Sequence, residues 1–354
     1  MSDLTSTDPV TRDTLGELAS LPGPWATITL PTARTGPQVS EGPHRFRLLA
    51  RRALELLGEL DADGLDWLAV QFDDLRADHA FWAHQADGLV VLASAHGIRT
   101  FRLATPLPEG VRVAWVPGLT ELALHLDAGD VWFIVAVSHN QVRLLRSTEH
   151  SVEQLPLEGI PGSFDEAVGD LERQEHLSWT ARPGGGANFH GLGGGAENDK
   201  VWLEKYLRRV AQGLDAHSSR PGEGIVVLAG VEALVASLRA IWRPSGLIPA
   251  SVRGNPDHMS VGALHAAALP LVRAERQRRE DALLERLGAT GQHDLAAILR
   301  AAAEGRIAEL ALGPSVDHLD RAAADPAIRA TVMFGGSVVP LHDLREPMAA
   351  LTRY

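Results

Sequence analysis

The segment between Arg182 and Arg209 holds the residues whose types and spacing best suit anion binding. Seven glycines fall within residues 184–195. Glycine lets a backbone approach a ligand closely, and converging backbone N–H groups favour anions. The basic side chains of the segment are Arg182, His190, Lys200, Lys205, Arg208 and Arg209. Together these residues predict a site for phosphate or a similar anion.

A strongly amphipathic helix is expected directly after the glycines, from about residue 199 to residue 217. Asn198 suits the N-cap of this helix, and Asp199 suits its first turn. An apolar stripe with helical spacing consists of Leu203, Tyr206, Leu207, Val210 and Leu214. The lysines and arginines lie largely off this stripe. The helix is therefore expected to pack by one side and to present cations on the other.

Two other interpretations of the glycine-rich segment stay open. Gly191 to Ala196 fit the dinucleotide-binding pattern G-x-G-x-x-A, but a loop and not a strand precedes them. Asp215, at the distance of the ribose ligand, falls inside the expected helix. The second interpretation is a surface loop before a solvated helix, since charged helix faces are usually solvated. A Walker A loop is excluded because the Gly-Lys-Ser/Thr ending is missing.

No catalytic residue, metal site or cofactor is predicted from the other motifs. The chain has no cysteine, which excludes disulfides, thiolate metal sites and a cysteine nucleophile. His79 and His84 have the wrong spacing for two metal ligands on one helical face. Asp130, Glu166 and Asp170 do not form a recognisable two-metal carboxylate set. No serine lies in a G-x-S-x-G motif.

Three tryptophans surround the glycine-rich segment in sequence, namely Trp132, Trp179 and Trp202. Core packing is the expected role of these side chains. Stacking on nucleic-acid bases is the alternative, because an indole ring offers a flat surface to any base.

Composition and charge limit the classes of partner. The net charge of −12 argues against a general nucleic-acid coat and against DNA, although it leaves room for a local basic patch. The first residues lack the basic and apolar regions of a signal peptide. No apolar run approaches the roughly 18 residues that a membrane span needs. A cytoplasmic protein without membrane contact is expected.

The pattern of strands and helices predicts an α/β (α+β) protein with three domains. Hairpins are expected at residues 88–103 and from residue 131 onward, and the apolar run GIVVLAG predicts a buried strand before a helix. The expected domains are residues 1–128, residues 129–256 with the Gly-rich loop 182–198, and residues 257–354.

Four stretches of the chain resemble the archaeo-eukaryotic peptide-chain release factor superfamily, which includes Pelota, and more specifically a bacterial branch of it. The stretches are VWFIVAVSHNQVRLLR, FHGLGGGAENDKVWLEKYLRRVAQGLDAH, GIVVLAGVEALVASL and the tail AAAEGRIAEL…MFGGSVVPL…ALTRY. They lie within residues 88–354. The resemblance implies a middle domain that is RNase-H-like and a C-terminal domain similar to the kink-turn-binding ribosomal-protein fold.

The resemblance also implies a role for the glycine-rich loop. In the release factors, a Gly-Gly-Gln tip before a long helix enters the peptidyl-transferase centre of the ribosome and helps water attack peptidyl-tRNA. The matching residues here are Gly193, Gly194 and Gly195, so glycine replaces the glutamine. Pelota-type members also lack this tip and act without hydrolysis. The codon-reading motif of the release factors has no match in this sequence.

The expected function is therefore that of a ribosome-associated protein that occupies the tRNA site in rescue, hibernation or translation quality control. Its expected partners are rRNA of the peptidyl-transferase region and a translational GTPase. Two alternatives remain open at this point. One is an enzyme, either a metal-dependent nuclease or a residual peptidyl-tRNA esterase. The other is a protein-interaction module that has lost the ribosome.

Overall fold

The computed structural model describes residues 8, 10–126, 131–169, 196–315 and 318–353. Helices and strands alternate in these residues, and the strands form three sheets. The expected α/β class is confirmed. The chain divides into two compact units, one made of Met1–Ala128 together with Glu280–Tyr354 and the other of Gly129–Arg279. The division into three domains and their named folds stay predictions.

The N-terminal segment of the first unit forms an antiparallel sheet with helices packed on it. Its helices are α1 (Arg12–Ser20), α2 (Gly42–Gly58), α3 (Leu65–Ala77), α4 (His79–Ala83) and α5 (Thr120–Ala123). Its strands are β1 (Trp25–Pro31), β2 (Gly88–Ser94), β3 (Gly97–Leu103) and β4 (Gly110–Ala114). The strand order is β3-β2-β1-β4, and every neighbouring pair is antiparallel. The expected hairpin at residues 88–103 is present as β2 and β3.

The second unit contains a five-stranded mixed sheet. Its strands are β5 (Trp132–Val137), β6 (Val142–Ser147), β7 (Val152–Leu155), β8 (Ile225–Gly230) and β9 (Leu247–Arg253). Its helices are α6 (Ala196–Ala216), α7 (Glu232–Ile241) and α8 (Val261–Thr290), and the boundary between the units falls inside α8. In the order β7-β6-β5-β8-β9, the β5, β8 and β9 strands are parallel.

Both faces of this five-stranded sheet are buried. Phe133 and Val135 of β5 belong to a core that includes residues of α6 and α7. Trp132 and Ile134 belong to a second core that includes residues of α8. Side chains alternate between the faces of a strand, so a strand covered on both sides needs a continuous apolar run. The sequence of β5, WFIVAV, meets this requirement.

The C-terminal segment of the first unit contains a small three-stranded sheet. Its elements are α9 (Leu295–Ala303), β10 (Ile307–Leu312), α10 (His318–Met333), β11 (Ser337–Pro340) and β12 (Met348–Thr352). Short 3₁₀ helices in the chain span Pro37–Glu41, Pro221–Glu223 and Pro256–His258. The strand order is β11-β10-β12, with β11 parallel and β12 antiparallel to β10. Within the described part of the chain, no helix is both long and apolar enough to cross a membrane.

The two segments of the first unit share one hydrophobic core. Leu15 and Leu18 of α1 lie in the same buried cluster as Ile298 of α9, Leu310 of β10 and Ile328 of α10. Hydrophobic burial therefore joins residues from the two ends of the described chain, because apolar area removed from water stabilises the folded state by roughly 25 cal/mol per Å².

A buried group of charges also joins these segments. Arg112 of β4 donates through Nη1 to Glu121 of α5 at 3.0 Å and through Nη2 to Asp325 of α10 at 2.6 Å. The other Asp325 oxygen accepts from the Thr120 backbone N–H at 2.8 Å, the Thr120 hydroxyl at 2.6 Å and the Leu119 N–H at 3.0 Å. The two acidic side chains are only 1% and 2% exposed.

The charge balance of this group shifts the pKa values of its members. Desolvation raises the pKa of Asp325 to about 6, because the lowering effect of the Arg112 charge does not fully offset it. The neighbouring Glu121 charge raises the pKa further. Desolvation lowers the pKa of Arg112, but the charges of Asp325 and Glu121 outweigh it, and the pKa lies above its ordinary value. One guanidinium thus faces two carboxylates.

Replacing Arg112 with methionine is expected to lower the free energy of unfolding by about 3–5 kcal/mol, because two buried carboxylates lose their counter-charge. Urea denaturation followed by circular dichroism measures this. The matched control is Arg286→Met, since Arg286 pairs with Glu309 at 3.0 Å with side chains 57% and 31% exposed. This change should cost at most about 1 kcal/mol. Equal losses in the two variants would contradict the prediction.

The raised pKa of Asp325 gives a pH dependence with a definite sign. The folded protein binds this proton more tightly than the unfolded chain, so the contribution of Asp325 to stability is present below its ordinary pKa of 3.8 and is lost as pH rises through about 6. The free energy of unfolding of the wild type relative to Asp325→Asn is therefore expected to fall between pH 4 and pH 6.5. Urea titrations across this range measure it, and a difference that rises with pH would refute the assignment.

Candidate functional site

The described part of the predicted anion site is helix α6. Arg182, His190 and the glycines Gly193, Gly194 and Gly195 lie outside the described residues, as does Trp179. Helix α6 begins at Ala196. The expected N-cap, Asn198, is therefore wrong, since this residue lies within the first turn. The helix carries the other four predicted residues, Lys200, Lys205, Arg208 and Arg209.

One side of α6 is fixed in the core of the second unit. Tyr206, Leu207 and Val210 are fully buried, and Leu214 is 1% exposed. These side chains share a cluster with apolar residues of β5, β8 and α7. The predicted apolar stripe is confirmed. Because helical residues three and four positions apart lie on one face, this burial also fixes which side of the helix remains outside the core.

A polar contact holds α6 at the same place. The Tyr206 hydroxyl donates to the Ser138 carbonyl oxygen at 2.8 Å, at the carboxyl end of β5. Burial raises the pKa of Tyr206, with a smaller contribution from the Asp257 charge, so the phenol keeps its proton and remains a donor. A buried hydrogen bond of this kind contributes about 1 kcal/mol and fixes the depth at which the helix sits.

Residues 200–205 of α6 make fewer contacts with the core than residues 206–214 do. Lys200, Val201 and Glu204 are exposed, and Trp202 and Lys205 are half-buried. Among the residues of this stretch, Leu203 packs against the core of the second unit. Among residues 200–216 of the helix, Tyr206 is the first that is fully buried. The ten helical residues before it correspond to about 15 Å at 1.5 Å per residue.

The four cations of α6 have different surroundings. Lys205 Nζ lies 4.3 Å from the centroid of the Trp202 ring, whereas Lys200 is exposed to solvent. Arg208 pairs with Glu204 at 2.6 Å, and both side chains are more than half exposed. Arg209 donates to the Ala167 carbonyl oxygen at 3.2 Å. The structure therefore places Lys205 at Trp202, leaves Lys200 exposed, and engages the two arginines with Glu204 and the Ala167 carbonyl.

The tryptophans of this region also divide into two groups. Trp132 is fully buried, so core packing is confirmed for this residue. Trp202 instead has a cation over its ring, a contact that the sequence interpretation missed. The spacing of Trp202 and Lys205 was the available signal, because side chains three residues apart meet on a helix surface and Trp binds cations best among the aromatic residues.

At the carboxyl end of the parallel strands, a cluster of polar side chains bonds to other parts of the protein and holds two segments together. Asn140 donates to Asp257 at 2.7 Å, and the buried Arg143 donates to the Pro256 carbonyl at 2.6 Å. Burial acts to raise the pKa of Asp257, but hydrogen bonds from Ser138 and Asn140, among others, outweigh it and keep the pKa below its ordinary value. These contacts join the turn after β5 and the beginning of β6 to the segment after β9. In the described residues, no group of three His, Asp or Glu side chains could hold a metal ion.

The anchoring of α6 by its buried side gives a stability prediction. Leu207→Ala is expected to lower the free energy of unfolding of the second unit by about 2–5 kcal/mol, because it leaves a cavity in the core. The control is Val201→Ala on the same helix, where the side chain is 50% exposed and the effect should stay within about 0.5 kcal/mol. Thermal and urea unfolding measure both variants. Similar losses at the two positions would show that the two sides of the helix are equally packed.

Solved structures similar to this chain include archaeal and yeast proteins. Archaeal Pelota, from a ribosome-bound assembly with ABCE1, aligns at 15% identity and a TM-score of 0.40 over 98% of this chain and 95% of that chain. Dom34 of S. cerevisiae aligns at 9% identity and a TM-score of 0.38 over 75% of this chain and 80% of its own. The archaeal translation termination factor aRF1 aligns at 12% identity and a TM-score of 0.25 over 97% and 96%.

The sequence comparisons give one positive result. Comparison with curated proteins gives no match. Residues 132–306 match the family described as bacterial archaeo-eukaryotic release factor family 3. The matched residues include all of α6 and the glycines before it, so the resemblance predicted from these stretches is confirmed. Residues 132–306, just under half of the chain, are thus similar to the bacterial branch of the archaeo-eukaryotic release factor superfamily.

Proposed function

We propose that this protein binds the ribosome in the manner of a release factor and occupies the tRNA site without hydrolysing peptidyl-tRNA. The observation that carries the proposal is the arrangement of α6. One side of the helix is fixed in a core, and residues 200–205, close behind the glycine-rich segment in sequence, are exposed or only partly buried. The family match of residues 132–306 supports the translational context.

In this proposal, α6 serves as a rigid support for the glycine-rich loop. The loop, residues 184–195, approaches rRNA of the peptidyl-transferase centre, where residues without side chains fit a narrow cavity. Arg182 and His190 contact rRNA beside it. The buried side of α6 resists tilting because its displacement would expose Leu207 and Val210 to water.

The charges of α6 supply the phosphate contacts. Lys200 and Lys205 are the chain's two lysines, and both lie in the first part of the helix. A protein with a net charge of −12 is repelled by RNA as a whole, so binding requires a local cluster of cations. Arg208 and Arg209 provide further positive charge, and Arg208 must exchange its Glu204 partner for a phosphate.

The absence of hydrolysis follows from Gly195. The residue at this position offers a backbone N–H group but no side chain that could orient an attacking water. The protein therefore acts by occupying the site, in rescue, hibernation or quality control, and a translational GTPase is its proposed delivery partner. Release of peptide from ribosome-bound peptidyl-tRNA, or Mg²⁺-dependent cleavage of RNA, by the purified protein would favour the enzymatic alternatives.

Ribosome binding is tested with Lys200→Glu. The variant is expected to co-sediment less with 70S ribosomes, and the slope of log affinity against log salt should fall by about 1, because one phosphate contact is lost. The control is Arg220→Glu, beyond the other end of α6, where the side chain is 74% exposed and the charge change is the same.

Two results would count against the proposal. The first is the absence of the wild-type protein from 70S fractions of both growing and stressed cells at low and moderate salt. The second is an equal loss of binding in Lys200→Glu and Arg220→Glu, which would indicate an effect of net charge and not of the surface of α6.

A further inference from the structure

The outer side of α2 carries an exposed leucine surrounded by basic residues. Leu48 is 59% exposed, although the opposite side of α2 is buried against the sheet of β1 and β2. Residues three and four positions away are the neighbours of a side chain on a helix surface. For Leu48 these are His44, Arg45, Arg51 and Arg52. Arg45 and Arg52 each pair with a glutamate at 3.0 Å, whereas Arg51 is exposed and forms no ion pair within the described part of the chain.

The outer side of α3 has the same pattern with the opposite charge. Val70 is 56% exposed, and Trp67, one turn before it, is 43% exposed. The neighbours of Val70 three and four positions away are Asp66, Trp67, Asp73 and Asp74. Asp73 pairs with an arginine of the same helix at 3.1 Å, but Asp66 and Asp74 are exposed and have no ion-pair partner among the described residues. Thus α2 presents an apolar side chain among cations, and α3 presents apolar side chains among anions.

The two helices lie side by side and bury their other sides in one core. Phe46 and Ala53 of α2 belong to the same cluster as Leu68 and Phe72 of α3, on one face of the four-stranded sheet. Residues 59–64 connect the helices, and such short connections join helices that run in opposite directions. The cationic pattern and the acidic pattern therefore occupy neighbouring positions in one outer layer of the first unit.

We propose that two copies of this chain associate through these helices, with α2 of each copy lying against α3 of the other. A two-fold axis between the copies repeats every contact and turns α3 of the second copy parallel to α2. Leu48 then lies opposite Val70 of the second copy. Facing helices meet by opposite rotational sides, so the residue three positions after Leu48 lies opposite the residue four positions after Val70. This register pairs Arg51 with Asp74, the two charges that have no ion-pair partner within the described residues of their own chain.

A second copy is the occupant that the charges favour, because both halves of the complementary pair belong to this chain. RNA would match α2 alone, and a basic protein would match α3 alone. Exposed apolar side chains rimmed by polar residues mark interaction surfaces, and complementary charges fix the register of such a contact. The two-fold arrangement covers Leu48, Trp67 and Val70 of both copies and leaves no half of the pattern open. This inference does not depend on the proposed ribosome function.

Sedimentation velocity of the full-length protein, at concentrations from about 1 to 100 μM, measures the association. The wild type is expected to shift from monomer to dimer within this range. Arg51→Glu and Asp74→Arg should each weaken dimerisation by about 10-fold or more, because each places like charges opposite one another twice per dimer. The matched control is Arg220→Glu in the second unit, where the side chain is 74% exposed, and it should dimerise like the wild type.

The decisive measurement mixes the two weakened variants. In a mixed dimer, one contact pairs Arg51→Glu with Asp74→Arg and the other contact is that of the wild type, so the mixture should dimerise about as well as the wild type. The double variant R51E/D74R should recover dimerisation by itself, and circular dichroism confirms that each variant is folded. A wild type that stays monomeric throughout the range overturns the proposal, even if RNA or another protein binds α2. A dimer that neither reversal weakens, or a mixture that dimerises no better than the separate variants, also overturns it.

Discussion

The burial of one side of α6 is the constraint on which the exposed surface of this helix depends. Tyr206, Leu207, Val210 and Leu214 occupy the core between the sheet and α7. Their positions fix both the rotation of the helix and its depth, because a helix that rotated would exchange apolar for charged contacts with the core. The direction in which Lys200 and its neighbours face is thus set by residues that are buried in the core. Hydrophobic burial alone has no preferred direction, but here the apolar residues recur at helical spacing, so burying them orients the whole helix.

The first unit relies on a different combination of forces. Its shared core would accept several packings of similar apolar residues, since cores tolerate volume-conserving exchanges. The contacts of Arg112, Glu121 and Asp325 are more restrictive. They require β4, α5 and α10 to meet within hydrogen-bond distance, and Asp325 also accepts from the backbone before α5. A buried charge without its partner is strongly destabilising, so a packing that separated these three side chains would have a much higher free energy.

The sequence allowed the local elements to be predicted but not the long-range pairings. The apolar runs of β5 and β8 and the stripe of α6 are periodic signals, and the structure agrees with them. Strand β9, Leu247–Arg253, was missed because Pro249 and mixed polarity obscure its period. Helix α10 continues past Pro326 to Met333, since packing of Ile328 in the shared core outweighs the local signal to stop. The contact between Lys205 and Trp202 was readable from spacing, whereas no local pattern marks Arg112 as a partner of Asp325.

The pairing of Arg112 with Asp325 spans 213 positions of the chain. A polypeptide made from its N-terminus completes β4 long before residue 325 has been added. Until then, the nascent segment holds a guanidinium without its second counter-charge, and Leu15 and Leu18 lack the apolar neighbours supplied by α9, β10 and α10. The second unit, continuous in sequence, faces no such delay. Synthesis from the N-terminus therefore favours an order in which the second unit folds first, while the N-terminal segment of the first unit completes its fold only after the C-terminal segment has been made.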